Sequence, residues 1–196
     1  MIIDPNILIT WGGVSKIYKK NEVIFSEGSN ARFYFQIMDG HVKMFNINDD
    51  GKEFIQGFFQ SGDSFGEPPL FLCEKYPASA IATKESIIFK LSRELLLKIL
   101  FAYPELQLEF IQILSKRIFL KANSIRDIIN NDPEHRLLCF LKNFKHNYLI
   151  EGKCIMPFTR QELANFTGLR VETVIRTLKK MCSEKKIEII NRKIYY

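Results

Sequence analysis

The apolar residues of this chain change their spacing at Ser92, and that change divides the fold into an all-β half and a helical half. From Val14 to Leu91, short β-prone runs are separated by turn clusters at Glu27-Gly28-Ser29-Asn30, Asp39-Gly40, Asn48-Asp49-Asp50-Gly51 and Gly62-Asp63. Val42 to Ile47 alternates, as does part of Phe54 to Phe59, which predicts strands covering an interior in a sandwich or barrel. Beyond Ser92 the period becomes helical. Ser92 caps a short helix carrying Leu95, Leu96, Ile99 and Leu100, and Pro104 opens a long one reaching about Asn130.

That long helix has two apolar stripes. One contains Leu106, Phe110, Ile113 and Leu120, interrupted by Arg117; the other contains Leu108, Ile111, Ile118, Ala122, Ile125 and Ile129. A helix that is apolar on two sides needs two partners, so the stripes predict packing on the barrel and on a second subunit, with burial inside one chain as the alternative. Asp132-Pro133 then supplies a cap and first-turn proline for a helix through Arg136, Leu137, Phe140 and Leu141.

The last fifth of the chain carries the most chemical information. Thr159 caps a helix and Glu162, three residues on, completes a capping box; Leu163, Ala164 and Phe166 form its apolar side, and Gly168 follows where the chain must turn. In the next helix Val174, Ile175 and Leu178 are expected to face inward, leaving Arg170, Glu172, Thr173, Arg176 and Lys179 on an outward surface. Arginine binds guanine bidentately, glutamate accepts from cytosine N4, and threonine contacts phosphate or a thymine methyl, so the pattern is that of a helix-turn-helix reading DNA. A solvated helical hairpin is the bland alternative. Charge argues against it. From Phe158 to Tyr196 there are nine basic and four acidic side chains, a balance of +5, whereas the whole chain carries +6. Nearly all the excess therefore sits where phosphates would need it. Lys186 to Ile190 and Lys193 to Tyr196 are β-prone about Asn191-Arg192 and predict a small basic-tipped wing.

Composition excludes several classes. The chain has 196 residues, 46% of them hydrophobic and 17 phenylalanine, enough for a core in each half. No run approaches the ~18 apolar residues of a membrane helix, and Met1 to Pro5 lacks a signal pattern, so a cytoplasmic protein is expected. Cys73, Cys139, Cys154 and Cys182 have no paired spacing and are expected as free thiols, without a disulfide, zinc or iron-sulfur framework. His41, His135 and His146 are scattered, so neither a metal nor another cofactor is expected. An enzyme built on a cupin-like barrel would need clustered histidines and a carboxylate around a metal, or a nucleophile beside a base. Neither appears, and no catalytic residue is assigned.

Over nearly its full length the chain resembles the Crp/Fnr superfamily of bacterial transcription regulators. Asp63-Ser64-Phe65-Gly66-Glu67-Pro68-Pro69-Leu70-Phe71 looks like the family's phosphate-binding turn, the helix from Pro104 resembles its dimer helix, and Thr159 to Glu162 through Glu172, Thr173 and Arg176 matches its reading head. The resemblance implies an α+β fold: a jelly-roll barrel similar to cyclic-nucleotide-binding domains (1–103), a dimerisation helix and hinge (104–131) and a winged helix-turn-helix (132–196). It also implies a homodimer on a near-palindromic duplex DNA operator, with RNA polymerase and an unidentified small-molecule effector as further partners. By resemblance Thr159, Arg160 and Gln161 touch phosphates, and Val171, Glu172 and Arg176 take base-reading positions.

Departures are informative. Arg170 stands where relatives commonly place a capping hydroxyl, and Val171 where many have a guanine-reading arginine. In cyclic-AMP-binding members an arginine and a serine after the Gly-Glu turn clamp the phosphate; here Pro77 takes the arginine position, and Lys121 and Ala122 replace dimer-helix hydroxyls. Losing that bidentate contact predicts weak or no cyclic-AMP binding. Gly66, Glu67, Ser79 and Lys121 then line a pocket for another effector, or Gly66-Glu67 is a conformational turn alone. An interaction module whose helix pair docks a protein is the remaining alternative.

Overall fold

The computed structural model describes residues 1–129, 132–147 and 151–196, with backbone alone at 124–129 and 146–147. Its contacts form two compact units, Met1–Leu114 and Ser115–Tyr196. In the first, α1 (Pro5–Thr10) is followed by β1 (Val14–Tyr18), β2 (Val23–Phe25), β3 (Phe33–Asp39), β4 (His41–Ile47), β5 (Glu53–Gln60) and β6 (Ser64–Phe65). Then come α2 (Glu67–Leu72), β7 (Ser79–Ala82), β8 (Ser86–Ser92), α3 (Arg93–Ala102) and the start of α4 (Pro104–Ile129). The expected barrel takes the form of two four-stranded antiparallel sheets, ordered β1-β8-β3-β6 and β2-β7-β4-β5, around one core.

The core is strongly aromatic. Phe25, Phe35, Phe59 and Phe65 lie with ring centroids 5.4 to 5.9 Å apart, the contact range of favourable ring pairs. On β4, Val42 and Met44 turn to the core while the positions after Val42 are all half-buried until Ile47; on β3, Tyr34, Phe35, Gln36 and Ile37 are all buried. Both faces of β3 are covered. Phe35 points among the core rings, while Tyr34 meets Phe110 of α4 at 5.7 Å, edge to face. Gln36 clamps the N-terminal segment: Ile3 N–H donates to Gln36 Oε1 at 3.0 Å and Gln36 Nε2 donates to Ile3 C=O at 2.8 Å, with Tyr34 OH also donating to Oε1 at 2.7 Å. Gln36→Leu would leave both Ile3 backbone groups buried and unpaired, so it should cost about 2–4 kcal/mol in denaturant unfolding. A change below ~0.5 kcal/mol would contradict this role of Gln36.

The helix signals are realised. Ser92 Oγ accepts from Leu95 N–H at 3.3 Å, and Asp132 carboxylate oxygens accept from Glu134 and His135 N–H at 3.1 and 3.2 Å. On α4, Leu106 and Phe110 are buried and Ile113 packs against the same core, as the first stripe predicts. The second stripe is open: Leu108, Ile111 and Ile118 are 57%, 61% and 69% exposed. Phe119 beside them is also exposed. The side chains of Ile125 and Ile129, and the helix end expected at Asn130, lie outside the described residues.

In the second unit, α5 (Pro133–Asn147), α6 (Arg160–Thr167) and α7 (Val171–Ser183) are joined by a sheet of β10 (Glu188–Ile190), β11 (Lys193–Tyr195) and β9 (Ile155–Met156). Leu137, Leu141, Met156, Phe158, Leu163, Val174, Leu178, Met181 and Ile194 are buried, and Phe140 lies 5.1 and 4.6 Å from the rings of Phe158 and Phe166.

Candidate DNA-binding site

The capping box fixes where α6 begins. Thr159 Oγ1 accepts from Glu162 N–H at 3.1 Å, and Glu162 Oε2 accepts from Thr159 N–H at 2.8 Å. The helix ends at Gly168, whose φ of +68° is left-handed and whose missing Cβ would meet nothing within 4 Å, so conformation rather than space requires glycine. Asn165 and Thr167 also face inward, Thr167 by returning its hydroxyl to Leu163 C=O at 2.7 Å. Arg170 then stands at the N-cap of α7 with extended backbone and no side-chain cap, as its lack of a short hydroxyl requires.

The inward face of α7 is Val174, Thr177, Leu178 and Met181. The expectation for Ile175 is therefore corrected: it is 41% exposed, and Thr177 takes its place inside. Helix phase decides this. Positions 174, 177, 178 and 181 share one face, while 175 is rotated by 100° from 174. Thr177 tolerates burial because its hydroxyl donates to Thr173 C=O at 2.8 Å. The exposed side of α7 thus carries Glu172, Ile175, Arg176 and Lys179, with Val171 and Thr173 half-buried beside them.

The wing forms about Asn191 and Arg192, with φ of +49° and +64°, a two-residue turn in the left-handed region whose twist matches the right-handed twist of the paired strands. Its register is Ile190 to Lys193, and β9 adds a third strand through Ile194 to Met156. Arg160 donates from Nη1 to Arg192 C=O, tying the start of α6 to the wing tip and leaving other guanidinium donors for a ligand. Gln161 Nε2 donates to Asn165 Oδ1 at 2.9 Å. At the end of α7, Glu134 accepts from Lys180 at 2.9 Å and from Lys186; these contacts, Lys186 first, hold its carboxyl below the usual range.

In the barrel, each candidate effector residue has a partner in the wall. Gly66 has φ +77°, and a Cβ there would lie 3.1 and 3.2 Å from Tyr76 and Phe25, whose rings stack at 3.7 Å. Tyr76 OH donates to Phe33 C=O at 3.2 Å, and burial pushes its phenol up to about 12. Glu67 is buried and accepts from Ser64 Oγ, while Ser79 Oγ accepts from Glu27 N–H at 3.0 Å. At the position of the missing arginine, Pro77 C=O accepts from Asn46 Nδ2 at 2.6 Å, and Asn46 Oδ1 from Gln56 at 2.8 Å. Lys121 lies on α4 in the second unit. Tyr76, Asn46 and Glu134 carry no local sequence signal, since their partners are distant in the chain, whereas the spacing of positions 174, 177, 178 and 181 is the signal that turns Ile175 outward. Among the described residues no group of three or more His, Cys, Asp and Glu is placed to hold a metal, and no helix is long and apolar enough to cross a membrane.

A β-sheet sensor-like unit joined to a winged helix-turn-helix defines a DNA-binding transcription regulator. Residues 15–103 match the cyclic nucleotide-binding domain family and residues 135–195 the Crp-like helix-turn-helix domain family. Electron transport regulator A of Shewanella oneidensis is 26% identical over 178 residues, 89% of this chain and 71% of that protein. The fumarate and nitrate reduction regulatory protein of Vibrio cholerae is 27% identical over 92% of this chain and 72% of its own length. The anaerobic regulatory protein of Haemophilus influenzae is 26% identical over 83% and 65%. The chain thus spans about two thirds of the length of the curated relatives it matches. Its fold is shared with FixK2 from Bradyrhizobium japonicum, at TM-score 0.78 and 20% identity over 93% of this chain and 91% of that one. The c-di-GMP responsive regulator CLP of Xanthomonas campestris gives 0.79 and 21% over 97% and 98%. The chain belongs to the Crp/Fnr superfamily of transcription regulators. Its relatives are regulators and not enzymes, which removes the metalloenzyme alternative.

Proposed function

We propose that the protein is a homodimeric, sequence-specific regulator that binds a near-palindromic operator, pairing through α4 and reading bases with α7. The observation that carries this reading is the exposed face of α7, where Glu172, Arg176 and Lys179 project from a helix whose opposite face is buried. Arg176 binds a guanine, Glu172 a cytosine amine, and the apolar Val171 and Ile175 favour a thymine methyl or exclude a base. Thr159, Arg160, Gln161, Arg170, Thr173, Lys179 and the wing tip contact the phosphate backbone. Functionally the chain divides into a sensor (1–103), a dimer helix with hinge (104–131) and the reading domain (132–196). The setting is the cytoplasm, with RNA polymerase as a further partner. Selection of bound duplexes from a random pool, with and without cell extract, tests recognition and effector dependence together: one enriched, two-fold-related sequence is expected, and no enrichment would overturn the reading.

The sensor does not respond to cyclic AMP. A cyclic phosphate needs a cationic partner where this chain offers the carbonyl of Pro77, already engaged by Asn46. An effector at Gly66, Glu67 and Ser79 is therefore of another chemistry, and it acts by binding one conformation of the protein more tightly than another by ~1–3 kcal/mol. Calorimetry with cyclic AMP should show no binding at micromolar concentrations; a saturable micromolar isotherm would contradict this.

A further inference from the structure

The first turn of α5 grips the reading head at more than one point. Glu134 is buried to 11% side-chain exposure although it is ionic, and its two oxygens hold different elements. Oε2 meets Lys180 at 2.9 Å, at the end of the recognition helix, and Oε1 meets Lys186, at the base of the wing. Glu184 closes the ring, 3.7 Å from Lys180 and 2.6 Å from Lys186. Two residues further along α5, Arg136 Nη1 donates at 3.4 Å to Thr167 C=O, the last residue of α6 before its glycine turn. Only the carboxylate is buried: Lys180 and Lys186 are 62% and 43% exposed and also meet Glu184, so losing the Glu134 charge releases two elements from one anchor rather than stranding a buried ion.

We infer that Glu134 is a positioning residue for DNA recognition: it pins the recognition helix and the wing to the start of α5, and keeps Lys180 and Lys186 from acting as free phosphate-binding cations. This inference rests on the DNA-reading function proposed above. Base reading requires α7 and the wing to present their side chains in one fixed geometry, whereas phosphate attraction tolerates a loose one. Neutralising Glu134 therefore acts on the two kinds of binding in opposite directions. Specific affinity falls because the reading helix is no longer held, and nonspecific affinity rises because two lysines lose a shared counter-charge.

Fluorescence anisotropy with the selected operator and a random duplex of equal length, at several salt concentrations, tests this. E134Q should bind the operator roughly ten-fold more weakly and random DNA equally well or better, with the salt slope steeper by about one to two. A role limited to stability would lower the melting temperature and scale both affinities together, so an operator-to-random ratio and slope unchanged from wild type would overturn the inference. If E134Q does not fold, E134D decides on the same ratio, because its carboxylate is a methylene too short to span both lysines. Wild-type protein that selects no operator would instead remove the DNA-reading function itself, which is a distinct result.

Discussion

Ile111→Asp is expected to convert the protein from dimer to monomer and to weaken operator binding by at least two orders of magnitude, the contribution of a tethered second site. Leu108, Ile111 and Ile118 are exposed, and their spacing of three and seven residues places them on one stripe of α4. An isolated amphipathic helix does not leave such a stripe in water without reason. In a two-fold pair each substitution enters twice, so two isoleucines leave an apolar seam, at about 1.5–3 kcal/mol each, and two carboxylates face each other. Sedimentation equilibrium reads the outcome directly. Ile111→Leu preserves volume and should preserve the dimer. Phe110→Ala, one residue away, would instead damage the barrel, because Phe110 packs edge-on to Tyr34 and Phe71 at 5.7 and 5.8 Å. A monomer in the wild type, or an Ile111→Asp protein that still dimerises, would contradict the assignment of this stripe.

Arg176→Ala should be the most damaging change on the reading surface. One guanidinium serves each half-site, and a bidentate arginine–guanine contact discriminates by about 1–3 kcal/mol, so a dimer loses about 2–6 kcal/mol on its operator. The loss belongs to one base step in each half-site and leaves random DNA almost unaffected. Arg160→Ala behaves differently. Its side chain lies at the start of α6 and holds the Arg192 carbonyl at the wing tip, so its removal weakens all DNA and lowers the salt slope by about one per half-site. Binding to the operator, to operators altered at each step and to random duplexes separates the two. Equal losses on every duplex for both substitutions would contradict the division between base reading and phosphate contact.

Features set by neighbours in the chain were legible in the sequence. The Thr159–Glu162 capping box, the Ser92 and Asp132 caps and the Asn191-Arg192 turn each depend on residues within three positions of one another, and each forms as its residue types dictate. Features set by distant neighbours were not. Alternation fails on β3 because the N-terminal segment and α4 both cover its second face, as the Gln36–Ile3 bonds and the Tyr34–Phe110 contact display. The burial of Thr177 in place of Ile175 shows helix phase overruling side-chain hydrophobicity once a hydroxyl can bond its own helix. The aromatic stack of Tyr76 on Phe25 and the ring of Glu134, Lys180, Glu184 and Lys186 bring together residues 51 and up to 52 positions apart. No window of sequence contains such pairs.

Recognition of base order by paired reading heads is tested most directly by the stoichiometry of the purified protein on its selected duplex at physiological salt. Two chains per site are predicted, on half-sites whose centres lie about 34 Å apart, with binding at least ~10³-fold tighter than to random DNA. A single chain bound per duplex, with equal affinity for any base order, would contradict it.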